Sequence, residues 1–299
     1  MIIGSLPKTT IMLFKDIDKS ILKILDEDYN TNHNVRVNTT NSSGGKFTAL
    51  GEIGAGGMES SIDVKTETPL EGIVLEKLNF KSDGKITVDA GYKVNNSFRF
   101  NFVAEDGRHE PGLPLNSFGK VGVEYLSNNM HSTFDVDVIN GPLVFISSLF
   151  QLNNNISVGG SMQFNTRLET GGGPPNIVDL AIGASVKQKD WQAGVRTTNN
   201  LNYLRGSYLH NLSRATKIAT SIDMNLRENH QNITVGGLHQ VDKYTSIKAK
   251  IDSESRLSTS FMHYIGERKD MKISAAASVD LVDWAPNKQI VGFGISYDP

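Results

Sequence analysis

Charged residues in this chain recur at intervals of two. Asp135 and Asp137 are spaced this way, and so are Lys248 and Lys250. On an extended strand that spacing puts both side chains on one face. Two facing carboxylates are what a glycosidase dyad uses, whereas rows of mixed acids and bases make a charged surface. Other chemistries have weaker support. The segment GEIGAGGME (51–59) is glycine-rich, but a phosphate-binding loop needs a strand before it and a helix after it, and both flanks here alternate as strands. The seven histidines (His33, His109, His131, His210, His230, His239, His263) lack the spacing of a metal site. His109 and Glu110 lack the partner of a zinc-protease helix. With no cysteine, thiol catalysis, disulfides and Cys-based metal sites are excluded. Nothing requires an enzyme, a metal or a cofactor, and Asp135 and Asp137 read as charges on one face of a strand.

The elements that carry these residues alternate apolar and polar side chains in short segments. KITVDAGYKV (85–94), SFRFNFVAED (97–106), TKIATSIDMNL (216–226) and MKISAAASVDL (271–281) show the pattern, and Gly, Asn, Asp or Pro punctuates the gaps. About nineteen strands are expected between His33 and Tyr297. Phe98, Phe100 and Phe102 share a face, opposite Arg99 and Asn101; Ile247, Ala249 and Ile251 oppose Lys248, Lys250 and Asp252. Charges are kept off one face, strand after strand. A soluble sandwich would bury that face in a core, and a transmembrane barrel would turn it to lipid, where a charge costs roughly 2–4 kcal/mol at the midplane. Hydrophobic residues make up 38% of the chain and aromatic residues 8%, which is modest for a large packed core and sufficient for a one-sided apolar skin. No linker divides the segments, so residues 31–299 are expected to form one β-barrel after an N-terminal segment, 1–30. With 30 Lys+Arg against 32 Asp+Glu, nothing attracts nucleic acid. No apolar stretch is long enough for a transmembrane helix.

Residues 7–29 differ. Ile17, Ile21, Leu22, Ile24 and Leu25 repeat at three and four, while Lys15, Asp16, Lys19, Lys23 and Asp26 take the other side. This predicts an amphipathic helix of three to four turns, with Pro7 near its start. Such a helix could pack on a soluble core, lie on a membrane, or sit inside a wide barrel with its stripe on the wall.

Taken in order, several stretches resemble the eukaryotic mitochondrial porins, the voltage-dependent anion channel family. FKDIDKSILKILDEDY (14–29) is similar to that family's N-terminal pore helix. GIVLEKLNFKSDGKITVDA (72–90) resembles the stretch where a Glu-Lys pair precedes a hairpin. FDVDVINGPLVFISSLF with GGSMQFNT (134–166) resembles a mid-barrel segment, and IVGFGISYDP (290–299) resembles the terminal strand that acts as the assembly signal, matching at Gly292, Ile295 and Tyr297. Ile290 departs from that signal, which has a polar residue there. Ser97-Phe98-Arg99 keeps only the cation of the family's Gly-Leu-Lys motif. Nineteen strands is the number known for the family, so the strand count and the resemblance are not independent.

The resemblance implies an antiparallel barrel of about nineteen strands in the mitochondrial outer membrane, with the helix in the lumen. With an odd count the first strand, near Val35 and Val37, and the last, near Phe293 and Ile295, run the same way and are expected to pair, since an open edge in lipid leaves backbone groups unsatisfied. It implies passive diffusion of nucleotides such as ATP and ADP, phosphate and small ions, without catalysis or cofactor. Partners would be the lipid bilayer, anionic metabolites, and a second copy or a larger mitochondrial membrane complex. The alternatives are a protein-import or assembly barrel of the same membrane and a soluble β-sandwich binding module. Expected pore-lining cations are Lys15, Lys19 and Lys23 on the helix, and Arg36, Lys65, Lys93, Arg99, Arg196, Arg205, Lys217, Lys248, Lys250, Arg256 and Lys272 on the wall. Asp63, Asp89, Asp135, Asp137, Asp223, Asp252 and Asp280 would offset them and keep selectivity weak. Glu76 alternates with Val74, Leu78 and Phe80, and the resemblance implies a lipid-facing acid there; a one-residue bulge would turn it inward instead.

Overall fold

Nineteen β-strands form one sheet that closes on itself in the computed structural model. The structure describes residues 12–42, 44–54, 57–66, 73–107, 117–139, 141, 143–166, 176–283 and 289–299. The strands are β1 (His33–Thr40), β2 (Gly45–Gly54), β3 (Gly57–Thr66), β4 (Ile73–Lys81), β5 (Ile86–Lys93), β6 (Phe98–Asp106), β7 (Phe118–Leu126), β8 (Met130–Asp137), β9 (Leu143–Gln151), β10 (Ile156–Asn165), β11 (Asn176–Lys187), β12 (Trp191–Thr198), β13 (Tyr203–Asn211), β14 (Thr216–Asn225), β15 (His230–Gln240), β16 (Thr245–Asp252), β17 (Arg256–Ile265), β18 (Met271–Asp280) and β19 (Ile290–Tyr297). Each pairs antiparallel with the next in sequence. The seam is parallel: β1 meets β19 from Asn34↔Gly294 to Val37↔Tyr297. An odd strand count makes this arrangement necessary, because the first and last strands then run the same way. Closure removes the open edge that lipid cannot solvate.

A 3-10 turn (Phe14–Asp16) and a seven-residue helix α1 (Lys19–Leu25) precede the barrel. The helix is thus shorter than the three to four turns expected from the sequence. Asp18 leaves helical geometry, with φ −114° and ψ 6°, and splits the segment into two pieces. The apolar stripe survives the break: Phe14, Ile17, Ile21, Ile24 and Leu25 are all buried. Pro7 and the rest of residues 1–11 lie outside the described residues.

The contacts of this segment identify the inner face. Phe14 and Ile17 pack on Leu149 and Ala181; Ile21, Ile24 and Leu25 pack on Leu209 and Ala219, with Leu238 beside them. Side chains with the parity of these wall residues point into the lumen. The opposite parity carries the large exposed apolar residues, among them Phe98, Phe100, Phe102, Ile222, Ile247, Phe261 and Phe293. The conventional core is therefore small and lies inside, under the helix, while most of the apolar surface faces outward.

Candidate functional site: the lumen and its docked helix

Burial and charge both hold the helix to one side of the wall. Five apolar side chains leave water, and each is worth about 1.5–3 kcal/mol. Two glycines let the backbones come close: a Cβ on Gly236 would lie 2.8 Å from Leu25 Cδ2, and one on Gly183 would lie 3.3 Å from Phe14 Cε2. Polar contacts fix the register. Ser20 donates to Gln192 Oε1 at 2.6 Å, and Gln192 Nε2 donates to the Ile17 carbonyl at 3.4 Å. Arg196 donates to the Lys15 carbonyl at 3.2 Å, sits 5.5 Å from the Phe14 ring centre, and lies 3.8 Å from Asp18.

The C-terminal end of α1 is capped by the wall. Lys248 is 2% exposed. Its ammonium donates to the carbonyls of Lys23 (2.8 Å) and Glu27 (3.2 Å) and to Asp28 Oδ2 (2.6 Å). A cation at a helix C-terminus also meets the negative end of the macrodipole. Lys272 approaches the other Asp28 oxygen at 3.5 Å, and Lys250 approaches Asp26 at 3.7 Å. Burial pushes the Asp28 carboxyl up, but hydrogen bonds and charge from Lys248 and Lys272 outweigh it and hold the group below the usual aspartate value. Burial pushes the neighbouring Tyr29 phenol well above its ordinary range, with Asp28 and Asp26 adding to the effect. Its hydroxyl donates to the Ile24 carbonyl at 3.1 Å.

Opposite this anchor, a cavity of about 530 Å³ opens between the 3-10 turn and the wall from β4 to β12. Lys15, Arg99, Lys120 and Arg196 line it together with Glu76, Asp89, Glu124, Asp135 and Asp179. Arg99 pairs with Glu76 at 2.6 Å and approaches Glu124 at 4.0 Å; Glu124 also meets His131 at 2.5 Å. Lys120 sits 4.1 Å from the Phe145 ring centre and 5.2 Å from that of Phe118. Charges of both signs are interleaved, as the acid pattern suggested.

The cations named from the sequence divide by what they touch. Register puts Arg36, Lys65, Lys93, Arg99, Arg196, Arg205, Lys217, Lys248, Lys250, Arg256 and Lys272 on the inward parity. Of these, Arg196, Lys248, Lys250 and Lys272 bind the helix segment. Arg205 pairs with Asp223, and Arg256 lies 3.8 Å from Glu254. On the helix, Lys15 lines the cavity, Lys19 pairs with Asp16 at 3.3 Å, and Lys23 is exposed. Glu76 does not face lipid. The β4–β5 register slips between Leu75 and Lys77, so Glu76 and Lys77 form a bulge, with Leu75 and Leu78 on the outer parity. A bulge re-aims a side chain, and here it brings the carboxylate to Arg99 in the lumen.

Sequence reading missed Lys120, Glu124 and the anchoring roles of Asp18 and Asp28. Lys120 and Glu124 were open to the parity argument, since Lys120, Gly122 and Glu124 alternate with Val121 and Val123. The docking patch also left a trace. Leu149, Leu209 and Leu238 are leucines on the inward parity, where their neighbours along each strand are mostly polar or small.

The model of the family described as eukaryotic porin matches residues 11–292. The chain belongs to the eukaryotic porin family. It is 26% identical over 279 residues to the mitochondrial outer membrane protein porin of 34 kDa from Solanum tuberosum, covering 91% of this chain and 93% of that one. It is 22% identical over 298 residues to the mitochondrial outer membrane protein porin 1 of Arabidopsis thaliana, covering 96% and 98%. Among solved structures, a mutant of Rh. blastica porin superposes with a TM-score of 0.51 at 8% identity, over 78% of this chain and 88% of that one. That likeness concerns the barrel fold alone. This porin is a channel protein of the mitochondrial outer membrane and not an enzyme.

Proposed function

We propose that this porin passes nucleotides, phosphate and other small anions by diffusion, with a weak preference for anions over cations. The observation that carries the reading is the segregation of charge onto the lumen face of an otherwise apolar-skinned barrel. Fixed cations on a pore wall raise the local concentration of anions. Acids of the helix segment, Asp18, Asp26 and Asp28, lie against Arg196, Lys250, Lys248 and Lys272. This offsets part of the basic wall and keeps the preference small. The five acids around the Arg99 cavity act in the same direction. A purified barrel in a planar bilayer under a KCl gradient tests this. A small reversal potential of the sign for chloride is expected, together with measurable ATP flux. A cation-selective reversal potential, or a bilayer that stays closed, would overturn it.

A further inference from the structure

One rim of the barrel is chemically divided. It carries the turns that follow the odd-numbered strands. Among the described residues, the β1–β2, β5–β6, β7–β8 and β9–β10 turns hold no Lys, Arg, Asp or Glu and are rich in asparagine and serine. The turns after β11, β13, β15 and β17 are charged: they hold Lys189, Arg214, Lys243, Arg268 and Lys269, together with Asp190, Asp242, Glu267 and Asp270. In this same sector three of the histidines that look scattered in the sequence line one rim. His210, His239 and His263 lie on the outward parity close to the ends of β13, β15 and β17. His210 stacks with Tyr208, and Tyr208 with Trp191. Amphipathic rings at the ends of lipid-facing strands mark the boundary between hydrocarbon and headgroups.

The β15–β16 and β17–β18 turns meet within this sector. Lys243 Nζ lies 4.7 Å from the Tyr244 ring centre, and Lys269 Nζ lies 5.8 Å from the same ring and 5.4 Å from that of Tyr264. Tyr244 thus brings two ammonium groups together at the rim. The β17–β18 turn also carries Glu267 and Asp270; Asp242, the acid of the β15–β16 turn, is already occupied: it accepts the backbone N–H of Tyr244 (2.6 Å) and Thr245 (2.7 Å) and the Thr245 hydroxyl (3.0 Å). Since that hydroxyl has a single proton, His263 Nδ1–H donates to Thr245 Oγ1 at 2.9 Å. This chain of bonds holds the turn to β17. Ile265 flanks the turns at the rim, and below it the exposed apolar side chains of Phe261 and Ile247, paired across β16 and β17, descend the outer wall.

We propose that this corner is a headgroup site for an anionic phospholipid. Lys243 and Lys269 hold the lipid phosphate, and its acyl chains lie along Ile247, Phe261 and Ile265. The ammonium pair and its continuity with the membrane-facing wall both select a lipid: the pair lies where phosphates of the bilayer surface lie, and the apolar side chains begin beside it with Ile265 and continue below with Phe261 and Ile247. In the asparagine-rich half the described turn residues carry no lysine or arginine, and the cations at its strand ends, Lys46 with Lys65 and Lys93 with Arg99, have the inward parity, so the lipid is held on one side of the barrel only.

The test is phosphatidylglycerol retention by the whole refolded barrel, titrated in phosphatidylcholine nanodiscs and read by native mass spectrometry. The double variant Lys243→Gln, Lys269→Gln should weaken phosphatidylglycerol binding about 25-fold, roughly fivefold per lysine. Lys243→Arg with Lys269→Arg should retain it. Lys85→Gln with Arg227→Gln, which removes the same charge from the opposite rim, should also leave it unchanged. Parent-like retention by the first variant overturns the proposal, and so does an equal loss in the opposite-rim variant, which would signal bulk charge. Displacement of the lipid by inorganic phosphate would likewise overturn it, as the mark of a plain anion site. Circular dichroism of each variant confirms the fold.

Discussion

Lys248→Met should release the helix while leaving the barrel closed. Methionine keeps the volume of the buried stem and removes the ammonium, with its bonds to the Lys23 and Glu27 carbonyls and to Asp28. Hydrogen bonds to charged groups are worth about 1.5–3 kcal/mol each, and breaking a buried ion pair costs roughly 3–5 kcal/mol. The Asp28 side chain is 25% exposed and keeps Lys272 at 3.5 Å, so the lower end applies, about 3 kcal/mol. Against this stands a docking energy with little surplus, because ordering each backbone residue costs about 1–2 kcal/mol. At about 1.4 kcal/mol per tenfold, the undocked fraction should rise roughly 100-fold. The chain has no cysteine, so Ala219→Cys gives a single thiol. Ala219 is fully buried beneath α1, and a small thiol reagent reaches it only when the helix lifts. The labelling rate should rise about as much as the undocked fraction when opening is fast relative to labelling. Lys65→Met, which removes a lumen cation from β3, should leave the rate unchanged. If Lys248→Met labels within twofold of the Ala219→Cys parent, Lys248 is not the anchor.

Other outcomes follow from the same geometry. Gly236→Val should also raise labelling at Ala219→Cys, because its Cβ would press on Leu25, 2.8 Å away, and on the Ala249 carbonyl at 3.1 Å; parent-like protection would show that the close approach is not needed. Asp28 has a folded-state pKa held below its ordinary value near 3.8, so its contribution is complete above that value and is lost as pH falls through the lowered one. Labelling should therefore be flat between pH 7 and 5, after correction for thiol ionisation, and a loss of protection in that window would contradict the assignment. Glu76→Gln removes the carboxylate 2.6 Å from Arg99 and leaves Glu124 at 4.0 Å; the reversal potential should shift toward anions, whereas an outward-facing acid would leave it unchanged. Deleting residues 290–299 opens the edges of β1 and β18 and should abolish insertion of a folded barrel, read as loss of the heat-modifiable band on a gel.

The strands were legible because their physics is local. Phe98, Phe100 and Phe102 against Arg99 and Asn101 state the two faces without reference to any other strand, and β5, β6, β14 and β18 begin and end within a residue of the alternating segments 85–94, 97–106, 216–226 and 271–281. Closure also followed from the sequence, since the parity of the strand count decides whether β1 and β19 run together. What was missed depends on partners far along the chain. Asp18 breaks the helix, yet its neighbours keep a perfect three-four spacing, and only the two wall patches around Leu149 and Leu209 show why two short pieces dock better than one long rod. Glu76 turns on a single extra residue opposite β5, which alternation within VLEKLNF cannot reveal. The division of the wall cations into helix anchors and pore charges was equally hidden, because Lys248 and Asp28 lie 220 residues apart.

The parallel seam has a consequence for how the barrel is made and how it comes apart. Only four residue pairs join β1 to β19, against eight for β1 and β2. The seam also joins the first strand to be synthesised to the last. Every hairpin can zip as soon as its second strand emerges, but the cylinder cannot shut until Tyr297 has been added. Until then β1 presents an unpaired edge, and the growing sheet needs something else to cover it. A barrel pulled from its C-terminus would yield first at this ladder, peeling β19 from β1 before unzipping the longer hairpins one after another.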